Sequence, residues 1–529
     1  SNETSTGTEL VQNGNFSEIG SDLVTNGDFS AAGINLVSNP NFTDTGADEV
    51  TYPNFTNSDL AQWKIASSRA TKSWDASEFM RLTYDLAEGQ ALYAVFGAAT
   101  VNASYKVTMR VRGTKSDGTT AQGSSFSRIG DNATIPASGI VSNPTLTSEW
   151  QDYEFYIVPT TTTFRFYLQS ADIGDLVDFD SISVKELGAD WSVSAVGGIS
   201  FNGSGLSLDS SEIDTSGGGT VYSACSHTTT IFEIGKSYKL VIADLDITSG
   251  SIELKWGRDH ASTPTRPILT SADNGTFTEY FTAVTESDSF TINSATSTVA
   301  TLGSISVQEL GEGWTLGTNW SIGNGVAIVD SVTAGTDGYI QTNPGPLEIG
   351  KYYEIGITSS TTGITLTSGW GAGSTYSLVA GDVNNPIKKI LLAGTTLLSI
   401  YGSATAVGSI TNISVQELDP NGYWTLGTGW SIGADKAIST VTGSNSDITQ
   451  SILTAGKTYR TVYEIVDFTA GTAQAIVTGS DGADAVAIET YTEDLTTTGT
   501  DFSIRSKLGT LDGAVSSVSV KQLGTYEDQ

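Results

Sequence analysis

One string closes four stretches of this 529-residue chain and limits its fold more than any other feature. Phe179-Asp180-Ser181-Ile182-Ser183-Val184-Lys185-Glu186-Leu187 returns as Gly303-Ser304-Ile305-Ser306-Val307-Gln308-Glu309-Leu310, as Thr411-Asn412-Ile413-Ser414-Val415-Gln416-Glu417-Leu418 and as Ser517-Val518-Ser519-Val520-Lys521-Gln522-Leu523. The final leucines lie 123, 108 and 105 residues apart, which is the size of a small domain. Two further markers keep the same order. Gly313-Trp314-Thr315-Leu316-Gly317 and Trp320-Ser321-Ile322-Gly323 reappear as Tyr423-Trp424-Thr425-Leu426-Gly427 and Trp430-Ser431-Ile432-Gly433, with Trp191-Ser192-Val193 as a worn copy. Glu233-Ile234-Gly235-Lys236-Ser237-Tyr238 matches Glu348-Ile349-Gly350-Lys351-Tyr352-Tyr353 and Ala455-Gly456-Lys457-Thr458-Tyr459. The chain is therefore a tandem array of duplicated units.

Within a unit, apolar residues alternate with polar ones, as in Tyr105, Val107, Met109, Val111 and in Phe164, Phe166, Leu168. A period of two puts one face of a strand inward. Short β-rich runs are separated by Gly, Asn, Asp and Ser, with no sustained 3.6-residue stripe, so the expected class is all β. Units of this length suit tandem jelly-roll or β-sandwich domains, with the first and last strands of each side by side. The expected boundaries are 53–187, 188–310, 311–418 and 419–523, with 524–529 as a tail.

Residues 1–52 follow a shorter rhythm. Leu10-Val11-Gln12-Asn13-Gly14-Asn15-Phe16 recurs 13 residues later around Leu23, Val24 and Phe29, and again around Leu36, Val37 and Phe42, with a degenerate fourth copy at Tyr52-Pro53-Asn54-Phe55. A lone strand cannot bury its apolar side, so these copies are expected to dock on a sheet as an N-terminal anchor. A flexible polar leader is the plainer reading.

The formal net charge of −33 opposes phosphate backbones and anionic lipid, so neither nucleic acid nor membrane is an expected partner. The single cysteine, Cys225, rules out an intrachain disulfide. Catalytic patterns fare poorly. Gly429-Trp430-Ser431-Ile432-Gly433 fits the spacing of a nucleophile elbow, yet both histidines precede it and its sister copy has Asn319 at the first glycine. Cys225 and His227 are too few for zinc. Gly369-Trp370-Gly371-Ala372-Gly373 lacks the Lys-Ser/Thr of a phosphate loop. The expectation is a protein that is not an enzyme, although sequence spacing leaves a carboxylate pair acting on glycosides open.

The span from Asn54-Phe55 through Trp63, Tyr105-Lys106-Val107, Trp150-Gln151-Asp152-Tyr153 and Asp178 to Val184 resembles the jelly-roll carbohydrate-binding modules associated with xylanases. The weaker tandem copies and the Leu-Val-x-Asn-Gly openings resemble tail fibres, head fibres and decorations of tailed bacteriophages. The first resemblance implies stacking of aromatic rings on sugars, with Trp63, Trp74, Tyr84, Tyr93 and Trp150 as candidates in the first unit and Trp256 and Trp370 later. The tryptophans at repeated landmarks suit packing equally. It also implies a calcium within residues 53–187, held by Asp178 and Asp180, with local capping or pairing of Asp180 as the other reading. The later units carry Gly303, Thr411 and Ser516 near the matching place.

Together these readings lead to the expectation of a structural virion appendage on the virion surface. It would be a homo-oligomer joined to other virion proteins through its N-terminal repeats and touching host-surface glycans. A bacterial or archaeal cell-surface adhesin or filament subunit is one alternative, and a free carbohydrate-binding protein is another.

Overall fold

The structure is a computed structural model. It describes residues 5–23, 32–35, 45–48, 63–65, 70–75, 79–85, 90–94, 100, 103–121, 125–130, 146–158, 165–169, 172–193, 198–210, 223–229, 231–255, 267–283, 290–294, 297–330, 338–368, 373–440 and 443–524. Among the described residues every named ladder is antiparallel and no α-helix occurs, so the chain is all β. Four sandwiches follow one another in sequence. By compactness the chain divides into two units, Ser1–Ala31 with Leu310–Gln529, and Ala32–Glu309.

Sandwich 4 shows the plan. One sheet runs Trp430–Gly433, Lys436–Thr440, Asp512–Gly524, Thr458–Ala470, Thr490–Thr496; the other runs Thr425–Leu426, Ser446–Ser451, Asp501–Ser506, Ala473–Val477, Ser480–Asp481. The chain alternates between the sheets, as a jelly roll does. The period-two residues face inward: Tyr459, Tyr463 and Ile465 from the central strand, Val518 and Val520 from the closing strand. Sandwich 3 repeats this order, with Val407–Leu418 as its closing strand beside Tyr352–Ser359. Sandwich 1 closes with Leu176–Leu187 between Tyr105–Thr114 and Phe79–Tyr84, and sandwich 2 with Ser304–Leu310 beside Ser237–Ser249.

The recurring markers now have physical jobs. In each sandwich the central strand opens near a tyrosine whose hydroxyl accepts an amide N–H from five residues upstream: Thr100 to Tyr105 (2.9 Å), Glu233 to Tyr238 (2.7 Å), Glu348 to Tyr353 (2.8 Å) and Thr454 to Tyr459 (2.8 Å). That bond pins the corner where the chain enters the sheet. In sandwiches 2 and 3 the marker lysine crosses to the closing strand, Lys236 to Glu309 and Lys351 to Glu417, both at 2.6 Å. The repeated tryptophans are packing residues: Trp191, Trp314, Trp320, Trp424 and Trp430 are all buried, and Trp430 Nε1 donates to the Ser446 carbonyl at 3.0 Å.

The N-terminal segment corrects an expectation. Among its described residues are four short strands, β1 (Ser5–Glu9), β2 (Ile19–Asp22), β3 (Ala32–Asn35) and β4 (Thr45–Asp48). Each pairs with a closing strand of its own chain: β1 with sandwich 4, β2 with sandwich 3, β3 with sandwich 2 and β4 with sandwich 1. Registers agree, with Glu9 opposite Lys521, Asp22 opposite Gln416 and Asp48 opposite Lys185. The reason lies in the closing strands. Residues 512–515 pair with Lys436–Thr440, which then ends, while the far side is taken by Thr458–Ala470. The rest of that near edge would expose unpaired backbone, and β1 fills it. β2 and β4 fill the matching gaps beyond Val326–Asp330 and Phe79–Tyr84. The closing strand's neighbour in these sandwiches is therefore a leader strand rather than the unit's own opening strand, and the described leader strands dock on closing strands of their own chain.

Candidate functional site

Pleat parity sorts the candidate rings of sandwich 1. Tyr105, Val107, Met109 and Val111 are buried, so Arg110 and Arg112 project from the outer face of the same strand. Arg112 stands opposite Asp178, and Asp178 opposite Arg81 on the next strand. The carboxylate is 1 % exposed and is gripped from both sides: Arg81 Nε and Nη2 donate to it at 2.8 and 2.9 Å, and Arg112 Nε at 2.8 Å. These bonds hold the Arg81 guanidinium above its usual range. Beside them, Arg110 Nε lies 3.1 Å from Asp180.

Trp150 completes this face. Its half-buried ring lies 4.7 Å from the Arg112 guanidinium carbon and meets Phe79 edge-on at 5.5 Å, while Phe79 is covered in turn by Arg81 and Arg112 at 5.2 and 5.3 Å. An outward aromatic among fixed guanidiniums offers one apolar surface and directed donors in a small area. Eleven of the chain's 25 lysines and arginines fall within residues 53–187, against none in 1–52, so basic side chains are concentrated in this sandwich.

The other candidates separate from Trp150. Trp74 stands opposite Met80 and Tyr84 opposite Ala70, and the burial of Met80 and Ala70 marks that as the inner face. Tyr84 is a core residue, its ionisation opposed by burial, so it offers no ring to a sugar. Trp74 is half-buried with Nε1 enclosed and unpartnered. Trp63 and Tyr93 lie in the strands Trp63–Ile65 and Gln90–Ala94, and their side chains, like Trp256 and Trp370, lie outside the described residues. Asp178 and Asp180 have guanidinium partners where a calcium was expected, and no group of three or more metal-ligating side chains occurs among the described residues.

The leader motif forms a second built site on sandwich 4. After β1 the chain turns sharply, with Asn13 and Phe16 at positive φ, and drives Val11 and Phe16 into the core. Phe16 is 1 % exposed and its ring lies 5.2 Å from Trp424. Trp424 Nε1 donates to the Asn13 carbonyl at 3.0 Å, Asn13 Nδ2 to Asp419 at 2.9 Å, and Val518 N to the Gly14 carbonyl at 2.7 Å. Gln12 and Gln450 exchange two further bonds. A Cβ on Gly14 would stand 2.3 Å from the Val518 carbonyl oxygen, which explains the glycine. The strand is the polar stretch before Leu10-Val11, and the apolar motif is a clip. In the second copy Leu23 N donates to the Val415 carbonyl at 2.8 Å, as Leu10 does to Val520 at 3.1 Å, while Leu23 itself is exposed. Leu10 is partly buried against the sandwich 4 core. Val24, Phe29, Leu36, Val37 and Phe42 lie outside the described residues.

A cleft of about 540 Å³ lies where sandwiches 3 and 4 meet, lined by Lys351, Tyr352, Asp419, Trp424 and Thr428 among others. Its charged groups are already engaged: Lys351 with Glu417 of its own sandwich, and Asp419 with the Trp424 amide and Asn13. Two of the residue patterns weighed from the sequence lie on described strands, and most of the stretch 369–373 lies outside the described residues. Ser431 lies on a hairpin strand opposite Ile438. Cys225 and His227 are both fully buried; burial pushes the thiol up, and the His227 ring meets Trp191 edge-on at 5.2 Å.

No protein-family model and no curated protein sequence matches the chain. Among solved structures, the tandem CBM22-1–CBM22-2 domains of Paenibacillus barcinonensis Xyn10C align at 10% identity over 53% of this chain and 99% of that one, with a TM-score of 0.19. A Paenibacillus xanthan lyase aligns at 10% identity over 94% of this chain and 59% of that one, with a TM-score of 0.16.

Proposed function

We propose that the chain is a non-catalytic structural appendage, of a virion first and of a cell surface as the second reading, whose sandwich 1 presents the Trp150 face to surface glycans. One observation carries the proposal: each closing strand is completed by a leader strand, so the N-terminal repeats serve to lock a scaffold. Such a scaffold suits display: the corner tyrosines and the leader clip commit their polar groups to holding strands together. Trp150 and its arginines supply the one described outer face in sandwich 1 with a ring and directed donors together. Weak sugar contacts would gain from several copies on one particle.

Two measurements test the two halves. On a glycan array the full chain should bind a subset of surface glycans, and Trp150→Ala should lower that signal by at least roughly tenfold, the equivalent of one ring contact; absence of any binding removes the glycan half. Antibody against the chain should label particles or envelopes in the source culture by electron microscopy. Label confined to free protein would remove the appendage half.

A further inference from the structure

We propose that the closing edges are exchange sites, at which a second copy of this chain inserts its own leader in place of the resident one. The inference rests on the clip geometry alone and stands apart from the glycan and appendage readings. The clip is bound as a peptide is bound. The contacts of Leu10, Gln12, Asn13 and Gly14 to Val520, Gln450, Trp424 and Val518 join residues some 400 or more positions apart, so none requires the strand to come from the same chain. Among the described residues the edge beneath it has no other strand on that side, because Lys436–Thr440 ends at residue 512–515 of the closing strand.

The chain itself carries the ligand for such an edge: the repeat, present in several copies that meet their edges in one register. A leader from another molecule carries the same strand and clip. Exchange is also accessible, since β1 and β2 are only five and four residues long and their ladders are broken by irregular register. Short strands of this kind open one at a time, and a competing leader can advance edge by edge. This is domain swapping in which the swapped element is a series of weak clips, so the balance between closed monomer and linked copies is set by concentration.

Ser5 stands opposite Gly524, which gives a direct test. One preparation carries Ser5→Cys and a second carries Gly524→Cys; neither can close on itself, and the native Cys225 is fully buried. A chain with both substitutions should form an intrachain disulfide and confirm the pairing. On mixing the single variants under mild oxidation, a disulfide-linked dimer should appear and increase with concentration. Adding Val11→Ala and Phe16→Ala to the Ser5→Cys chain should cut its yield by roughly tenfold or more. The proposal is overturned if the double variant closes while the mixed singles stay monomeric after joint unfolding and refolding at high concentration, or if the dimer persists undiminished without the two anchors.

Discussion

Sandwich 1 and sandwich 3 use the same two sheet positions for opposite chemistry. Asp178 and Ser409 each stand nine residues before the closing leucine, and Arg112 and Ser360 each stand seven after the corner tyrosine. In sandwich 1 the pair is a buried carboxylate held by two guanidiniums. In sandwich 3 the Ser360 hydroxyl accepts the Ser409 amide at 2.7 Å, and the Ser360 amide donates back to the Ser409 carbonyl at 2.8 Å. Corners, tryptophans and closing strings are shared by duplicated units, so they serve the fold. What differs at a shared position is where a unit has been specialised, and sandwich 1 is specialised toward charge and an outward ring.

The largest effect should come from breaking that contrast. Asp178→Ala leaves two guanidiniums facing each other in a partly buried setting and should cost sandwich 1 roughly 3–5 kcal/mol, whereas Ser409→Ala should cost sandwich 3 under about 1 kcal/mol. Hydrogen exchange of Tyr105–Thr114 against Tyr352–Ser359 reads both, since several sandwiches do not melt as one two-state unit. Equal losses would dissolve the distinction. Next comes Phe16→Ala, which should remove about 3 kcal/mol from the edge of sandwich 4 by opening a cavity against Trp424, with sandwich 1 unmoved.

Tyr105→Phe and Tyr353→Phe sharpen the comparison from the other side. Each leaves a corner amide without its acceptor and should cost about 1–2 kcal/mol, with Tyr105→Phe the larger because that hydroxyl also donates to Glu186 at 3.2 Å. Equal costs would mean that the Glu186 contact adds nothing. The smallest effect concerns acid. Partial burial disfavours the Glu9 carboxylate, but hydrogen bonds from the Ser519 hydroxyl and from the amides of Val520, Val11 and Leu10 outweigh this and hold it below the usual glutamate value of about 4.5. Because the folded value is depressed, the contribution is present above pH 4.5 and fades as pH falls through the folded value. Exchange at Leu10 and Val11 should rise below pH 4.5 before the sandwich 4 core responds.

The units were legible because their signals are local: Tyr105 to Val111 alternate within one strand, and the Glu233 to Tyr238 marker is one turn and one corner. Trp430 as packing was legible from its recurrence. The arginine grip on Asp178 was not, because it depends on registers joining residues 81, 112 and 178 across three strands. The partner of the leader was hidden for a stronger reason. Ser5–Glu9 is polar, with no alternation to mark a strand, and its neighbour lies more than 500 residues away. Val11 and Phe16 announced that something must cover them without saying what.

The leader pairs with its sandwiches in reverse, the earliest strand with the last sandwich and the latest with the first, like nested brackets. During synthesis the bracket around sandwich 1 can shut soonest, whereas β1 emerges first and waits until residue 524 has left the ribosome. A chain halted before residue 524 would carry a bare leader strand for each sandwich still missing.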